Sequence, residues 1–488
     1  MSTEIVVSSN PFSTRIARIR EGELIRYNVS VSDEDVGNIY KGVARNIVPS
    51  MEAAFIDIGL EKDAFLCTSD LYITPDDFYL FALSHYDEER FLKFKKDSFG
   101  RPVHIKDVIQ KGQSVIVQVV RPQSRDKGPR VSTYLTIPGR YIALLPKSTN
   151  IGVSKKIKNP EKRRALYKLL EKYQEDDIGM IARTASADAT ENQIIEDIRD
   201  CLRIYRYTKT AAIDNPAPAL LYRENNFVIR ELRDNIKPID TIIVDDSSVF
   251  RQISSLSWIN AKIKMYSDPE PVFDVYGISK KIPELYARKL LLKSGGSIII
   301  EETEALVAID VNSGKTVGKS LEEMIFMTNM EAAELIAMQV KLRNLGGIII
   351  IDFIDMADNG HKQSVVEHLK EQMTDDRLKY RVNEISTLGL VEMTRKRTFG
   401  SLSEITGMQC PICNGSGRLK SPESIASDIF EEIRRLVLFN SHQNLYVEAA
   451  VPVAKLVSSL KIKNVIVKSN DKWKEKYSVR LTEAKKPA

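Results

Sequence analysis

Apolar and polar residues alternate along the first part of the chain in the manner of β-strands. The alternation covers Ile5–Val29, with a turn at Glu21–Gly22, and a polar, aromatic insertion occupies Ser69–Phe99. Short strand-like runs lie on both sides of this insertion, at Gly37–Val43, Ile47, Ala53–Ile58, Ala64–Leu66, Ser114–Val120 and Val131–Leu135. Several short strands at this spacing predict a small Greek-key barrel of the OB type.

Helical spacing of apolar residues appears next, in Glu161–Gln174 and Thr190–Tyr207. Thr190 and Gln193 have the spacing of a capping box, which predicts that a helix starts there. The segment Asn215–Pro218 interrupts the periodicity and marks the end of that region. Strands and short helices follow, at residues 227–228, 241–244, 247–257 and 262–266.

From Ser294 onward the apolar runs become long and continuous. The elements are Ser297–Ile300, Ala305–Ile309, the helix-periodic stretch Leu321–Leu345, and Ile348–Ile351. Two fully apolar strands joined by a helix predict a β-α-β unit with parallel neighbouring strands, within a layered α/β domain. After Gly417 we expect a helix at Ser424–Asn440 and two or three further strands.

Length and composition limit the class of protein. The 488 residues suggest roughly three or four domains, and a composition of 43% hydrophobic and 28% charged residues excludes collagen-like and largely disordered chains. Apolar stretches such as Gly346–Ile351 are too short to span a membrane, and Met1–Asn10 lacks the basic start of a secretory signal. Four cysteines are too few for a disulfide framework, so we expect a cytoplasmic protein.

The net charge of +5 is unevenly distributed along the chain. Between Arg101 and Lys172 there are 17 Lys or Arg residues and four acidic residues, a local charge of +13. A basic block of this size is expected where a protein binds a polyanion such as a nucleic acid. A solubilising surface is the alternative, but such surfaces usually mix both signs of charge. We therefore favour nucleic-acid binding.

Each of the two predicted parallel strands ends on an aspartate, Asp310 in the first and Asp352 in the second. Ligands of open α/β sheets lie beyond the carboxyl ends of the strands, so the two carboxylates should be close in space. Close carboxylates repel each other unless a cation or a proton lies between them, and Mg²⁺ suits carboxylates together with phosphate oxygens and water. The alternative is that both aspartates only start turns after their strands.

Further polar residues near these aspartates could contact a phosphodiester. Asn312 could orient a metal-bound carboxylate or hold the scissile phosphate. The basic residues that could neutralise flanking phosphates are Lys315, Lys379, Arg395 and Lys396.

The four residues from Cys410 to Cys413 form a C-x-x-C motif followed by a glycine-rich stretch. This spacing lets two thiolates bind one tetrahedral Zn²⁺ from a tight turn. Zinc needs four ligands, and the sequence has no second such pair or nearby histidine pair. The motif therefore predicts half of a zinc site, completed by a second copy of the chain. A thioredoxin-like redox motif and two incidental thiols are the alternatives.

Aromatic and basic residues also occur in the predicted barrel. Phe55 and Phe65 lie in strand-like runs, and Lys127 lies in the basic loop Arg121–Arg130. Exposed aromatic rings on such a barrel stack on unpaired bases, while basic side chains follow the nucleic-acid backbone. For a single Phe, packing in the core is the more frequent role.

Six stretches of the sequence resemble the ribonuclease E/G family of bacterial endoribonucleases. They are Gly37–Gly42, Glu52–Gly59, Ala305–Ser313, Asn344–Gly347, Ile351–Met356 and Cys410–Gly417. The resemblance implies a Mg²⁺-dependent endoribonuclease that cuts single-stranded RNA, leaves 5′-phosphate and 3′-hydroxyl ends and favours 5′-monophosphorylated substrates. Its expected role is RNA processing and decay, including rRNA maturation and mRNA turnover.

The resemblance also implies a domain organisation. The expected domains are an RNase H-like domain in two parts (1–36 and 215–286), an S1-like OB-fold RNA-binding domain (37–133), a 5′ sensor domain (134–214), a DNase I-like catalytic domain (287–402), a zinc-link (403–418) and a small C-terminal domain (419–488). The long basic, proline-rich tail of the family's degradosome scaffold is not expected in this chain.

Catalytic and metal-binding roles follow from the same resemblance. Asp310 and Asp352 match the paired Mg²⁺ ligands, and Asn312 matches their polar partner in catalysis. Cys410 and Cys413 match the zinc-link pair that joins two protomers, in a family that can also assemble as a dimer of dimers.

RNA-contacting roles are implied in the same way. Phe55, Phe65 and Lys127 match the RNA-binding surface of the S1-like domain. The pocket that senses a 5′-monophosphate matches Gly139, Ala143, Arg183 and Thr184. A guanidinium and a hydroxyl can bind a terminal monophosphate several ways at once, whereas an added pyrophosphate would clash in a snug site.

Two other functions remain open at this point. One is a non-catalytic RNA-binding or ribosome-assembly factor, in which the carboxylates are only structural. The other is a deoxyribonuclease, which rests on the fold analogy of the catalytic domain alone.

Overall fold

The structure of the chain is a computed structural model. It describes residues 3–31, 35–71, 104–123, 127–224, 226–235, 241–314, 320–397, 400–413, 415–439 and 444–481. The chain divides into two units, Met1–Thr406 and Gly407–Ala488. Most of the predicted insertion Ser69–Phe99, and also Lys315, lie outside the described residues.

The first strands form antiparallel hairpins, as the alternation predicted. They are β1 (Thr3–Asn10), β2 (Ser13–Arg20) and β3 (Glu23–Ser30). Glu21 and Gly22 have φ angles of 52° and 81°, which form the predicted tight turn between β2 and β3. Val6 and Ala17 on these strands are fully buried, so one face of the hairpins packs in a core.

The next five strands close into a barrel. They are β4 (Ile39–Val48), β5 (Ala53–Asp57), β6 (Ala64–Cys67), β7 (Ser114–Arg121) and β8 (Arg130–Ser132). Their order is β4-β5-β6-β8-β7, and pairing of β4 with β7 closes the ring. Ile56, Leu66 and Val117 fill its interior together with Ile105 of the short helix α1 (Ile105–Val108). The predicted closed barrel is confirmed.

A small sheet and two helices follow the barrel. The strands are β9 (Ile137–Pro138), β10 (Ile142–Pro146), β11 (Ile151–Val153) and β12 (Ile178–Ala182), in the order β11-β12-β10-β9. The helices are α2 (Pro160–Lys172) and α3 (Glu191–Asp214). Thr190 and Gln193 form the predicted capping box, and α3 continues seven residues beyond the predicted end at Tyr207.

The chain then returns first to the barrel, through β13, and then to its first sheet, through β14 and β15. Strand β13 (Ala219–Tyr222) pairs with β4, and helix α4 (Phe227–Asn235) follows. The next elements are β14 (Thr241–Val244), α5 (Ser247–Ser254), β15 (Lys262–Met265) and α6 (Val272–Val275). Because β14 pairs with β1 and with β15, one sheet of order β15-β14-β1-β2-β3 combines strands from two distant parts of the chain.

The last sheet of the first unit contains the predicted β-α-β unit. Its strands are β16 (Lys289–Leu291), β17 (Ser297–Glu302), β18 (Leu306–Asn312), β19 (Gly347–Asp352), β20 (Tyr380–Ile385) and β21 (Leu390–Arg395). The helices are α7 (Leu321–Leu342), α8 (Asn359–Gln372) and α9 (Leu402–Thr406). The order is β16-β17-β18-β19-β21-β20, and β18 runs parallel to β19 with α7 as the crossover. Ser320 starts α7 as its N-cap by accepting from the N–H of Glu323.

The described residues of the second unit form two helices and a three-stranded sheet, where one helix and two or three strands were predicted. Its elements are α10 (Pro422–Phe439), β22 (Leu445–Ala450), α11 (Val451–Ser459), β23 (Val465–Asn470) and β24 (Tyr477–Leu481), with sheet order β23-β22-β24. Ile429 and Val447, both fully buried, lie in its core.

The chain is therefore a mixed α/β protein with a closed five-stranded barrel, and its RNase H-like, DNase I-like and zinc-link assignments stay predictions. Among the helices of the described ranges, none has both the length and the apolar composition that a membrane crossing needs.

Candidate active site and RNA-contacting surfaces

Asp310 and Asp352 are register partners at the carboxyl ends of β18 and β19. Their neighbours Ile309 and Ile351 are partners too and are buried in the core. Because side chains alternate along a strand, both aspartates lie on the opposite, exposed face of the sheet. The β-α-β unit thus brings together two carboxylates that the sequence separates by 42 residues.

Asn312 lies two residues beyond Asp310 and contacts it directly. Its Nδ2 donates to Oδ2 of Asp310 at 2.8 Å, which orients that carboxylate. Burial raises the pKa of Asp352, and the negative charges of Asp310 and Asp355 raise it further. A cation between Asp310 and Asp352 would relieve this repulsion.

An open cleft of about 390 Å³ adjoins Asp352. Residues 353–356 and Lys362 line one side, and residues 385–389 at the turn between β20 and β21 line the other. Its volume is within the range of ligand pockets, about 300–1,000 Å³. The cleft therefore offers room for a nucleotide-sized group beside the segment that follows Asp352.

The donor set at this edge of the sheet suits a hard divalent cation. Asp310 and Asp352 supply two carboxylates, and Mg²⁺ typically takes one or two carboxylates and fills its other positions with water and substrate phosphate. In the part of the chain that the structure describes, no group of three or more His, Cys, Asp or Glu side chains is arranged to hold a metal ion. A cation at Asp310 and Asp352 would thus depend on substrate and water for its other ligands.

Of the basic residues that could neutralise flanking phosphates, Lys379, Arg395 and Lys396 lie at the opposite end of the sheet from the two carboxylates, and the prediction was wrong for Arg395. Strand β21 runs antiparallel to β19, so Arg395 is paired with Gly347, at the opposite end of β19 from Asp352. Arg395 is also buried, and its Nε donates to Asp376 Oδ2 at 2.6 Å. The backbone N–H of Lys396 bonds the carbonyl of Lys379 at the same far end.

The residues predicted to sense a 5′-phosphate come together where β10 and β12 pair. Ala143 lies on β10, and Arg183 and Thr184 follow β12. The Arg183 guanidinium donates to the carbonyl oxygen of Gly139 at 2.6 Å. The hydroxyl of Thr184 is 3.0 Å from that of Ser154. A guanidinium and two hydroxyls therefore lie at one edge of this sheet.

Asp234 on helix α4 belongs to the same cluster, and no pattern in the sequence predicted it. Its Oδ1 accepts from the Arg183 guanidinium at 2.7 Å and from Nε of Arg233 at 3.2 Å. Burial alone would raise the pKa of Asp234, but the charges of Arg233 and Arg183 hold it below its ordinary value. A phosphate that binds Arg183 would meet a guanidinium that already has an acidic partner.

Asp197 on helix α3 fixes the backbone beside this cluster. Its carboxylate accepts from three consecutive N–H groups, at 2.9, 2.7 and 2.9 Å, those of Arg140, Tyr141 and Ile142. A Cβ at Gly139 would overlap the Asp197 carboxylate, so a larger residue there would displace this carboxylate from its N–H partners. The close approach holds the carbonyl of Gly139 where Arg183 donates to it.

Phe55 and Phe65 form an aromatic pair on the outside of the barrel. They are register partners in β5 and β6, with ring centroids 5.8 Å apart and planes at 65°. Both rings are half-buried, while Ala54 and Ile56 on the same strand are fully buried. The pair therefore lies outside the barrel core, where nucleic-acid bases can reach it.

Lys127 is exposed and is connected to the strand that carries Phe65. A Cβ at Gly128 would overlap the carbonyl oxygen of Asp63, so this loop packs closely against the barrel. Next to it, the N–H of Phe65 donates to the carbonyl oxygen of Pro129 at 2.8 Å. Lys127 thus lies near one end of the aromatic face.

Cys410 and Cys413 lie in the second unit, both as free thiols. The backbone N–H groups of Cys413 and Ile412, together with the Cys413 thiol, hold the pKa of Cys410 below its usual value. The N–H of Ser416 donates to the carbonyl of Cys413 at 2.9 Å and closes the turn. No described helix begins at Cys410, unlike in a thioredoxin-like motif. Two thiols held side by side, one of them favoured as a thiolate, fit half of a zinc knuckle.

Comparisons with known proteins agree with one another. A sequence model of the Ribonuclease E/G family matches residues 136–398. Ribonuclease G of Haemophilus influenzae is 38% identical over 455 residues, which cover 91% of this chain and 89% of that protein. Ribonuclease G of Escherichia coli K12 is 35% identical over 445 residues, with coverage of 89% and 88%. Ribonuclease E of Escherichia coli K12 is 34% identical over 431 residues, which cover 86% of this chain and 39% of that protein.

Proposed function

The chain belongs to the ribonuclease E/G family and is an endoribonuclease, and from this premise we propose that it cuts single-stranded RNA at a Mg²⁺ site formed by Asp310 and Asp352. The observation that carries the proposal is the register pairing of these two aspartates at the ends of adjacent parallel strands. The products would carry 5′-phosphate and 3′-hydroxyl ends.

The residues of the chain have distinct tasks in this proposal. Asp310 and Asp352 hold the cation, and Asn312 keeps Asp310 oriented through its 2.8 Å hydrogen bond. A Mg²⁺ ion held by these carboxylates would activate a water as the nucleophile and offset the negative charge that develops on the phosphate oxygens. Lys362, on the wall of the adjoining cleft, offsets the charge of a neighbouring phosphate.

In this proposal the barrel and the basic block bind the RNA. Phe55 and Phe65 stack on unpaired bases, and Lys127 neutralises the backbone nearby. The basic block from Arg101 to Lys172 runs from the barrel into the sheet next to Arg183. Basic residues would therefore accompany a bound RNA from the barrel toward the sensor cluster. Such a path favours single-stranded RNA, because its bases are free to stack.

The cluster around Arg183 would select the 5′ end of the RNA. Arg183 and Thr184 bind a terminal monophosphate, and backbone groups at Gly139 and Ala143 complete the pocket. A triphosphate carries two further phosphoryl groups, which would clash in a snug site of this kind. Cleavage would therefore favour 5′-monophosphorylated RNA, the form left by an earlier cut.

Assembly would use the second unit. Cys410 and Cys413 supply two zinc ligands, and the same two residues of a second copy supply the others. The resulting homodimer, or a dimer of dimers, would act on RNA in the cytoplasm.

The family membership favours this function over a non-catalytic RNA-binding or ribosome-assembly factor. The test compares three proteins on matched single-stranded oligonucleotides: wild type, Asp310→Asn, and Asp214→Asn as an exposed aspartate at the end of α3. Substrates are RNA with a 5′-monophosphate, RNA with a 5′-triphosphate, and DNA, each at several Mg²⁺ concentrations.

We expect Mg²⁺-dependent cleavage of RNA by wild type and by Asp214→Asn, faster on the monophosphate. Asp310→Asn should bind RNA almost normally and cleave about a thousandfold more slowly. Cleavage retained by Asp310→Asn in Mg²⁺ would refute the metal assignment. Equal rates on both RNA forms would refute the sensor, and equal cleavage of DNA would point to a general nuclease.

A further inference from the structure

Asn329 on helix α7 holds the segment that follows Asp352. Its side chain is completely buried, although a helix position facing the core usually carries an apolar residue. Its Nδ2 donates to the carbonyl oxygen of Ile354 at 2.8 Å, and its Oδ1 accepts from the N–H of the same residue at 3.1 Å. One amide thus binds both backbone polar groups of a residue only two positions after Asp352.

Glu322 binds the other end of this segment from the same helix. Its carboxylate accepts from the N–H groups of Ala357 and Asp358, each at 3.2 Å. The same carboxylate lies 3.1 Å from Nδ1 of His361, whose ring stacks on Phe326 with centroids 4.2 Å apart. Residues 322, 326 and 329 recur at the spacing of one helical face. That face therefore contacts the segment at both ends.

Residues 353–358 have no regular secondary structure that would hold them otherwise. Phe353 and Met356 point into the core, while Asp355 lines the cleft beside Asp352. A buried amide costs free energy unless its hydrogen bonds are made, and an asparagine is a poorer helix former than leucine. The two bonds to Ile354 offset both penalties, and their structural effect is to fix the backbone beside Asp352.

We propose that Asn329 is a positioning residue for RNA cleavage. It fixes the backbone after Asp352 and with it the direction of that carboxylate and the near wall of the cleft, while Glu322 and His361 fasten the far end. The inference rests on the proposed role of Asp352 as a metal ligand. Asn329 itself touches neither RNA nor the cation and acts only through the segment it binds.

The first test compares Asn329→Leu with Gln339→Leu. Gln339 is also buried on α7, and its Oε1 accepts from Nε of Arg343 at 2.7 Å, ten residues farther along the helix. Both changes remove a buried amide and should lower thermal stability. Only Asn329→Leu should lower kcat, by about 10–100-fold, with little change in KM. A shift of the Asp352 carboxylate by about 1 Å is enough for an effect of that size. Asn329→Leu should also raise the Mg²⁺ concentration needed for half-maximal rate.

Two further measurements do not depend on cleavage. Hydrogen exchange of the amides in residues 353–358, without metal or RNA, should be faster in Asn329→Leu than in wild type or Gln339→Leu. Binding of Mn²⁺, followed by electron paramagnetic resonance, should be weaker in the same variant. Glu322→Gln keeps one acceptor oxygen and should change amide exchange and Mn²⁺ binding less than Glu322→Ala does. These two variants provide the comparison if Asn329→Leu does not fold.

The outcomes separate this inference from the proposed function. Cleavage by Asp352→Asn would overturn the metal assignment itself. An inactive Asp352→Asn, combined with equal kcat and Mg²⁺ dependence for Asn329→Leu and Gln339→Leu, would overturn the positioning role alone. Unchanged exchange of residues 353–358 in Asn329→Leu and in Glu322→Ala would overturn it as well.

Discussion

Asp310 and Asp352 are directly opposite each other in two parallel strands, a position in which like charges destabilise a sheet. The pKa of Asp352 is raised by burial and by the charges of Asp310 and Asp355, so the folded chain carries this repulsion whenever the carboxylates are ionised. A feature that opposes folding and lies at a cleft is typical of a functional site.

Replacement of Asp352 by Asn should therefore stabilise the metal-free protein at neutral pH. An aspartate whose pKa is higher in the folded than in the unfolded chain destabilises the fold above that pKa, and the effect vanishes below its unfolded value of about 3.9. In EDTA at pH 7, Asp352→Asn should show a slightly higher melting temperature than wild type, and the difference should shrink as the pH falls. Asp214→Asn serves as the control, and a lower melting temperature for Asp352→Asn at pH 7 would contradict the prediction.

Replacement of Asp234 by Asn should strengthen the preference for a 5′-monophosphate. The substitution keeps the shape of the side chain but removes the negative charge that accepts from Arg183 at 2.7 Å. A partly exposed ion pair of this kind contributes up to about 1 kcal/mol, so KM for monophosphorylated RNA should fall by about threefold to fivefold. Steady-state kinetics on 5′-monophosphate and 5′-hydroxyl RNA provide the comparison. An equal change in KM on both substrates would show that Asp234 does not compete for the phosphate.

Loss of either aromatic ring on the barrel should weaken RNA binding without unfolding the protein. Phe55→Ala and Phe65→Ala should each reduce the binding free energy of a single-stranded oligonucleotide by about 1–3 kcal/mol. Because the rings touch, the double variant should lose less than the sum. Fluorescence anisotropy at fixed salt measures these effects, with Phe12→Ala, an exposed ring on the first hairpin, as control. Binding equal to wild type in both variants would exclude stacking on this face.

Removal of one zinc ligand should change the oligomeric state. Wild type should contain about one zinc ion per two chains, because in the proposed dimer each chain would supply two of the four thiolates. Cys413→Ser should lose the metal and yield monomers in light scattering, while Cys67→Ser, in the barrel, should keep both metal and dimer. A dimer that persists after complete chelation would argue against zinc as the link.

Much of this fold could be predicted from the sequence, because several of its elements are specified by strong local patterns. The capping box at Thr190, the barrel strands and the crossover helix each follow from short-range spacing. Juxtaposition of Asp310 with Asp352 followed from the rule that neighbouring apolar strands joined by a helix run parallel. These features needed no knowledge of which distant residues meet.

The residues that the sequence did not place correctly depend on contacts between distant parts of the chain. The position of Arg395 depends on the order of strands in the sheet and on the direction of β21, which no local pattern contains. Asp234 reaches Arg183 from a helix 51 residues farther along the chain. Asn329 looks like an ordinary polar residue in a helix until its bonds to Ile354 are seen. Each of these residues is defined by its partner, and the partner is distant in sequence.

The position of the β-α-β unit along the chain also determines when the proposed active site can form during synthesis. The last of the five barrel strands, β8, ends at Ser132. Asp310 is paired only after Asp352 has been synthesised and β19 has paired with β18. Ribosomes synthesise proteins from the N-terminus, so the proposed RNA-binding surface of the barrel is made long before the paired carboxylates. If the proposed roles are correct, a nascent chain could bind its own messenger RNA before it could cut that RNA.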